Sequence, residues 1–354
     1  MRKILFAVTT ALFSCVLFLA MSNGSAFAGD QYTLKFASEY PDKHPTVING
    51  FKPWIKKVDE LSGGRLKIVF FNPNTLVPAR QAYDSVVAGV ADIVASPCHW
   101  VHGKFPLAPV IQLPLIFNGA EAASLTTWDL YNKFPEWRKE YNEVKVLWQW
   151  ASALFEVHTK KKLVRTLEDL QGKKMIGWNP QIRHIIKELG ANPIEVTPHD
   201  TYLALERGMA DGVICPIAPM KAYKITDAAK YHTIVDIMCD PFYAAINRAK
   251  WNSLPQDLKK ILEDTTGYKM ARISGKTLDM GSIHDSKWMK EKGHTFYVLP
   301  LAEKMRWRKK VQGIHNEWVK KTEKRGYKNA QEIYGTVKRL AEKYSKTTVG
   351  GYKD

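Results

Sequence analysis

Cys98 and His99 stand side by side, and His102 follows three residues later. A thiol beside an imidazole is the start of a nucleophile pair, and two histidines at i and i+3 are the start of a metal site. Neither is completed. No third member of a triad and no oxyanion donor can be identified, and two ligands do not make a zinc site. The chain has no H-E-x-x-H, C-x-x-C or G-x-S-x-G motif and no phosphate-binding glycine loop. Catalysis, metal and other cofactors are therefore not expected. Aromatic residues give the better signal. Trp100, Trp148, Trp150, Phe155 and Trp178 fall at expected strand ends or loops, where an α/β lobe opens to a ligand. Rings also fill cores. Trp148 is expected in the core, sharing one strand face with Trp150. Trp100 and Trp178 lie just past strand ends and can face either the core or a ligand.

These residues need a frame. Residues 165–216 read as strand, helix, strand, helix, strand. KKMIGW (173–178) is a β-rich run, and PQIRHIIKELG (180–190) is a helix that opens on Pro180 and closes on Gly190. After the extended NPIEVT, Thr197 is the expected cap of a helix with Pro198 at its first position, running to Gly208. DGVIC closes the unit. The amino-terminal part repeats the pattern. YTLKFAS (32–38) alternates apolar and polar residues. Val47, Ile48, Phe51, Trp54, Ile55, Val58 and Leu61 then recur at helical spacing, up to Gly63-Gly64. RLKIVFF, a helix over PARQAYDSVVAGV and the strand ADIVAS complete a β-α-β-α-β opening. Such alternation predicts an α/β chain with doubly wound sheets and helices on both faces.

Composition sets the compartment. Arg2 and Lys3 precede the apolar run ILFAVTTALFSCVLFLAM, and Ala26-Phe27-Ala28 is a small-x-small cleavage site. This is the pattern of an export signal over residues 1–28, cleaved after Ala28, with a periplasmic product. The product would keep 326 residues, enough for two lobes with their own cores. The chain carries 52 Lys and Arg against 35 Asp and Glu, a net charge of +17. The basic residues are scattered along helices without a nucleic-acid motif, so solvated faces are expected and nucleic acid is not. Cys98, Cys215 and Cys239 follow the signal. A Cys215–Cys239 bond and buried free thiols both remain open.

Three pieces carry a family resemblance: DLQGKKM, ELGANPIEV, and TYLALERGMADG followed by a proline. Together with PLAPVIQLPLIF (106–117), their order over about residues 31–330 resembles the solute-binding proteins of TRAP transporters, the DctP-like group. The resemblance implies a two-lobed periplasmic-binding-protein fold. VKVLWQW and LFEVHTK would cross between lobes, DPFYAAINR would return to the first, and C-terminal helices would pack across both. Lobe 1 is then expected over 29–152 and 240–285, and lobe 2 over 153–239 and 286–354. The implied role is a monomeric receptor. It would close on a small organic acid and deliver it to the small and large TRAP membrane subunits. A periplasmic enzyme or a sensor on the same scaffold is the alternative of another class.

The chain departs from the family where relatives grip a carboxylate. The resemblance puts arginines at the positions of Ile176 and Phe155, and an asparagine at Cys215; Asn179 matches a polar family position. An apolar wall cannot compensate the desolvation of a small dianion. An acid with an aromatic or apolar portion is therefore expected, with a C4-dicarboxylate or other small carboxylate or sulfonate as the alternative. Arg183 and Arg80 are the candidate replacement cations. Tyr40, Ser96, Trp100, Trp150, Trp178 and Phe242 complete the expected ligand set.

Overall fold

The structure is a computed structural model and describes residues 30–352. The expected signal lies outside the described residues. Two mixed sheets form the frame. The parallel members of the first are β1 (Tyr32–Ser38), β2 (Leu66–Phe71) and β3 (Ile93–Pro97). The strand β10 (Pro241–Asn247) lies antiparallel between β3 and β4 (Val144–Ala151). The order across this sheet is β2-β1-β3-β10-β4. In the second sheet, β6 (Lys174–Gly177) is parallel to β7 (Asn192–Ile194) and β8 (Gly212–Pro216). β5 (Phe155–Thr159) is antiparallel to β8 and to β9 (Tyr231–Ile234), and β11 (Thr295–Val298) is parallel to β9. The order is β11-β9-β5-β8-β6-β7. The α/β two-lobed expectation holds. Each sheet also holds one antiparallel strand, β10 in the first and β5 in the second, which alternation alone does not predict.

Local chemistry explains most elements. Leu34 and Phe36 of β1 are fully buried, as its alternation requires. The first long helix begins with a π-turn, Val47–Phe51, and continues as Lys52–Leu61. Val47, Phe51, Trp54 and Val58 are buried, but Ile48 and Leu61 are each 48% exposed. The stripe is thus narrower than its sequence, because the wide π-turn rotates the α-helical residues after it. Asn179 caps the helix Pro180–Glu188 by accepting from Ile182 N at 2.9 Å. Gly190 ends that helix at φ +93°, where a Cβ would meet the Gln171 side chain. Thr197 behaves differently from its expected role. It closes a turn with Asp200, and the next helix starts only at Thr201 and ends at Glu206.

Two short segments join the sheets: residues 152–154 lead from β4 to β5, and 235–240 lead from β9 to β10. They run antiparallel and are tied by Ser152 N to Asp240 O and Phe155 N to Met238 O, both 2.8 Å, and by Ile237 N to Phe155 O at 3.0 Å. Asp240 N donates to Ser152 Oγ at 2.9 Å. The C-terminal helices brace this frame. Tyr268–Glu291 lies so close to Ala120–Lys133 that a Cβ on Gly275 would sit 2.6 Å from Ala120 O. Asp279 of the same helix caps its partner, accepting from Ala120 N at 2.7 Å and Glu121 N at 2.9 Å. Leu301–Lys324 packs on the second-sheet side against Pro180–Glu188, and Ala330–Ser345 returns to Ala120–Lys133. The three described cysteines are free and buried, which resolves the open alternative against a Cys215–Cys239 bond.

Candidate functional site

The ends of both sheets that meet at the crossing carry aromatic residues. On the first, Phe242 stacks on Trp150 at 5.2 Å, and Tyr40 packs on Phe242 at 5.4 Å and Trp150 at 6.4 Å. Tyr40 also stacks on His44 at 3.9 Å. Trp148 is fully buried below them, against Phe51 and Trp54. On the second, Trp178 follows β6, donates Nε1 to Thr201 Oγ1 at 3.0 Å, and meets the edge of Tyr223 at 5.9 Å. Trp100, half-buried after β3, lies under the guanidinium of Arg80 at 5.6 Å.

A polar node stands between these walls. The Asp240 side chain is 9% exposed. It accepts from Gln112 Nε2 at 2.7 Å and from Asn179 Nδ2, which lies 3.1 Å from both carboxylate oxygens. Asn179 therefore does two tasks: its oxygen caps a helix of the second lobe while its amide nitrogen binds the crossing segment. His99 Nδ1 lies 3.8 Å from Asp240 Oδ1. Burial raises the Glu39 carboxyl to about 8, and the charge of Asp240 adds to this. Burial also raises Tyr40 well above its ordinary value, with the Glu39 charge next. Glu39, Tyr40 and Asp240 thus share one poorly solvated space.

Of the expected ligand residues, the structure brings together Tyr40, Trp150 and Phe242 in one cluster. Trp178 and Asn179 are neighbours on the facing side. Ser96 is buried opposite Tyr243 in the β3–β10 ladder. Phe155, Ile176 and Cys215 are buried in the hydrophobic cores around the crossing and the second sheet. Arg183 is already engaged, with Nη2 3.1 Å from Glu195 Oε2 and Nη1 donating to Gly177 O at 3.2 Å. Arg80 is exposed. Sequence reasoning missed Asp240, Gln112, Glu39 and Tyr223. The available signal was Asp240 in front of Pro241, at the start of an expected returning strand. Among the described residues no group of three His, Cys, Asp or Glu side chains could hold a metal ion.

Two α/β lobes joined by paired crossings, with aromatic walls around a shared polar node, define a two-lobed solute-binding protein. The chain belongs to the DctP family, bacterial extracellular solute-binding protein family 7, which it matches over residues 36–322, and is a solute-binding protein of the TRAP type. It is similar to the TRAP solute-binding protein of Rhodoferax ferrireducens solved with copurified benzoate. That match has 27% identity and a TM-score of 0.82, over 90% of this chain and 99% of the other. It is also similar to a marine metagenome TRAP protein, specific for aromatic acid ligands, solved with 3-hydroxybenzoate. There the identity is 28% and the TM-score 0.82, over 89% of this chain and 99% of the other. The 2,3-diketo-L-gulonate-binding periplasmic protein of Escherichia coli (strain K12) is 25% identical over 257 residues, covering 72% of this chain and 77% of that one.

Proposed function

We propose that this receptor captures an aromatic or largely apolar organic acid between its lobes and hands it unchanged to TRAP membrane subunits. The observation that carries the reading is the pair of aromatic walls, Tyr40, Trp150 and Phe242 against Trp178 and Tyr223, with apolar residues at 155 and 176. A ring slotted between such walls loses apolar area to the protein at about 25 cal/mol per Å². A small dianion would lose its hydration with no guanidinium in return. The benzoate and 3-hydroxybenzoate bound by the two related proteins support the same ligand class. The reading includes an exported monomer, cleaved after Ala28, that performs no chemistry on its ligand.

Calorimetry with benzoate, 3-hydroxybenzoate, succinate and malate tests it. An aromatic acid is expected to bind at least about tenfold more tightly than either dicarboxylate, or about 1.4 kcal/mol. Saturating ligand should raise the melting temperature, because only the native state binds it. Tight succinate binding with none for the aromatic acids would overturn the ligand class, and turnover of the bound acid would overturn the receptor.

A further inference from the structure

His99 stands beside the polar node with an unfinished set of contacts. Its turn, Cys98–Trp100, comes directly after β3 and fixes the ring at the carboxyl end of a central strand. Its Nδ1 is shielded from solvent and has no hydrogen-bond partner, yet it faces Asp240 Oδ1 across 3.8 Å. Asp240 cannot swing away, because Gln112 and Asn179 grip its oxygens and Ser152 holds its backbone. Of the cations expected to meet an acid, one is ion-paired and the other is exposed to solvent. Arg183 is bound to Glu195 and Gly177 O, and Arg80 lies over Trp100. An organic acid entering this space meets a fixed, buried carboxylate that repels it, unless a cation stands between them. An imidazolium has the required shape, with one N–H for each carboxylate on opposite sides of the ring.

We propose that His99 anchors the ligand's carboxylate, taking up a proton as the acid binds and held by Asp240 from behind. This rests on reading the cleft as an organic-acid site. The groups around the ring favour the role. Asp240 faces it from the crossing segment, and Glu39 and Tyr40 stand close to Asp240 at the end of β1. Cys98 in its own turn is buried and stays a neutral thiol. Arg80, from the loop before Ala82–Val87, is the opposing cation and is exposed to solvent. Glu39 loses its proton only near pH 8, so its charge adds repulsion for the acid above that point and acts in the same direction as loss of the imidazolium.

The test is the dissociation constant of benzoate and of 3-hydroxybenzoate between pH 5.5 and 8.5, measured by calorimetry in buffers of different ionisation enthalpy. Binding should weaken by about tenfold per pH unit once the free imidazole is neutral, with close to one proton taken up. His99→Gln should weaken binding at pH 6 at least about tenfold and flatten the profile below pH 8, whereas Arg80→Gln should keep its shape. Asp240→Asn, with folding checked by circular dichroism, should move the weakening to lower pH. A flat profile in the unaltered protein, or a His99→Gln variant with unchanged affinity and slope, would overturn the anchor and leave the ligand class standing. If neither aromatic acid, nor succinate, nor malate shifts the melting temperature, the organic-acid reading falls with it.

Discussion

The Trp178 indole is oriented before any ligand arrives, by its bond to Thr201 and the edge of Tyr223. A preset ring costs little entropy on binding. Trp178→Ala is therefore expected to weaken an aromatic acid by at least about tenfold, through lost area and stacking. Arg183→Ala should change affinity less than about twofold, because its guanidinium already has an acidic partner and a carbonyl. A calorimetric result in the reverse order would move the acid to Arg183. Trp178 and Asn179 were legible in the sequence because a proline at the first helical position marks where a strand ends and a helix begins. The fate of Arg183 was not legible, since Glu195 approaches it only when β7 folds back beside β6. Nor was Asp240, whose partners lie at 112, 152 and 179. Ser96 was placed correctly at a strand end, but β10, far along the chain, covers it.

At the scale of elements, β5, β9 and the start of β11 bring three histidines into line. His158 Nδ1 meets His232 Nδ1 at 2.8 Å, and His232 Nε2 meets His294 Nδ1 at 2.8 Å. His158 Nε2 lies 3.0 Å from Cys215 O. A carbonyl only accepts, so His158 donates through Nε2, and each next ring donates inward. That order holds with all three rings neutral, and burial favours this form by lowering each of them, His158 to about 4. Unfolded histidines bind protons below about pH 6.5. Between there and about 4 the unfolded state holds more protons, so stability falls as pH falls. Buried acids act oppositely over an overlapping range: burial raises Glu140 to about 8 and Asp279 to about 7, so each costs stability as pH rises from its unfolded value of about 4 up to those values. Below about pH 6.5 the two kinds of group offset one another, so the melting temperature should fall clearly as pH rises from about 6.5 to 8, and that of His158→Gln should rise relative to the unaltered protein as pH falls from about 6.5 to 4. A difference between variant and unaltered protein that stays constant over that range would count against the neutral chain. The short strand and helix runs of this region were readable from periodicity. The late start of the Thr201 helix was not, because Thr197 commits its hydroxyl to a turn with Asp200.

For the whole molecule, motion is expected about the two crossing segments, since they are short and are the links between the two sheets. Small-angle scattering should give a smaller radius of gyration with saturating aromatic acid than without it. An unchanged radius in the presence of measured binding would mean that capture needs no closure. The two-sheet plan was legible as alternating strands and helices, and the resemblance supplied the crossings. The π-turn at Val47–Phe51 and the packing of Tyr268–Glu291 and Ala330–Ser345 on Ala120–Lys133 were beyond the pattern, because both depend on packing between distant parts of the chain.

The place of β10 constrains the order in which this chain can take shape. It is the wedge that β3 and β4 both pair with, and it spans residues 241–247 of 354. Until those residues emerge, two facing strand edges have no common partner, and the first sheet stays in two pieces. A chain synthesised from its amino terminus thus remains incomplete for about two-thirds of its length, with long-range pairings still to be made. Such lateness makes the returning strand the step that commits the molecule to its shape.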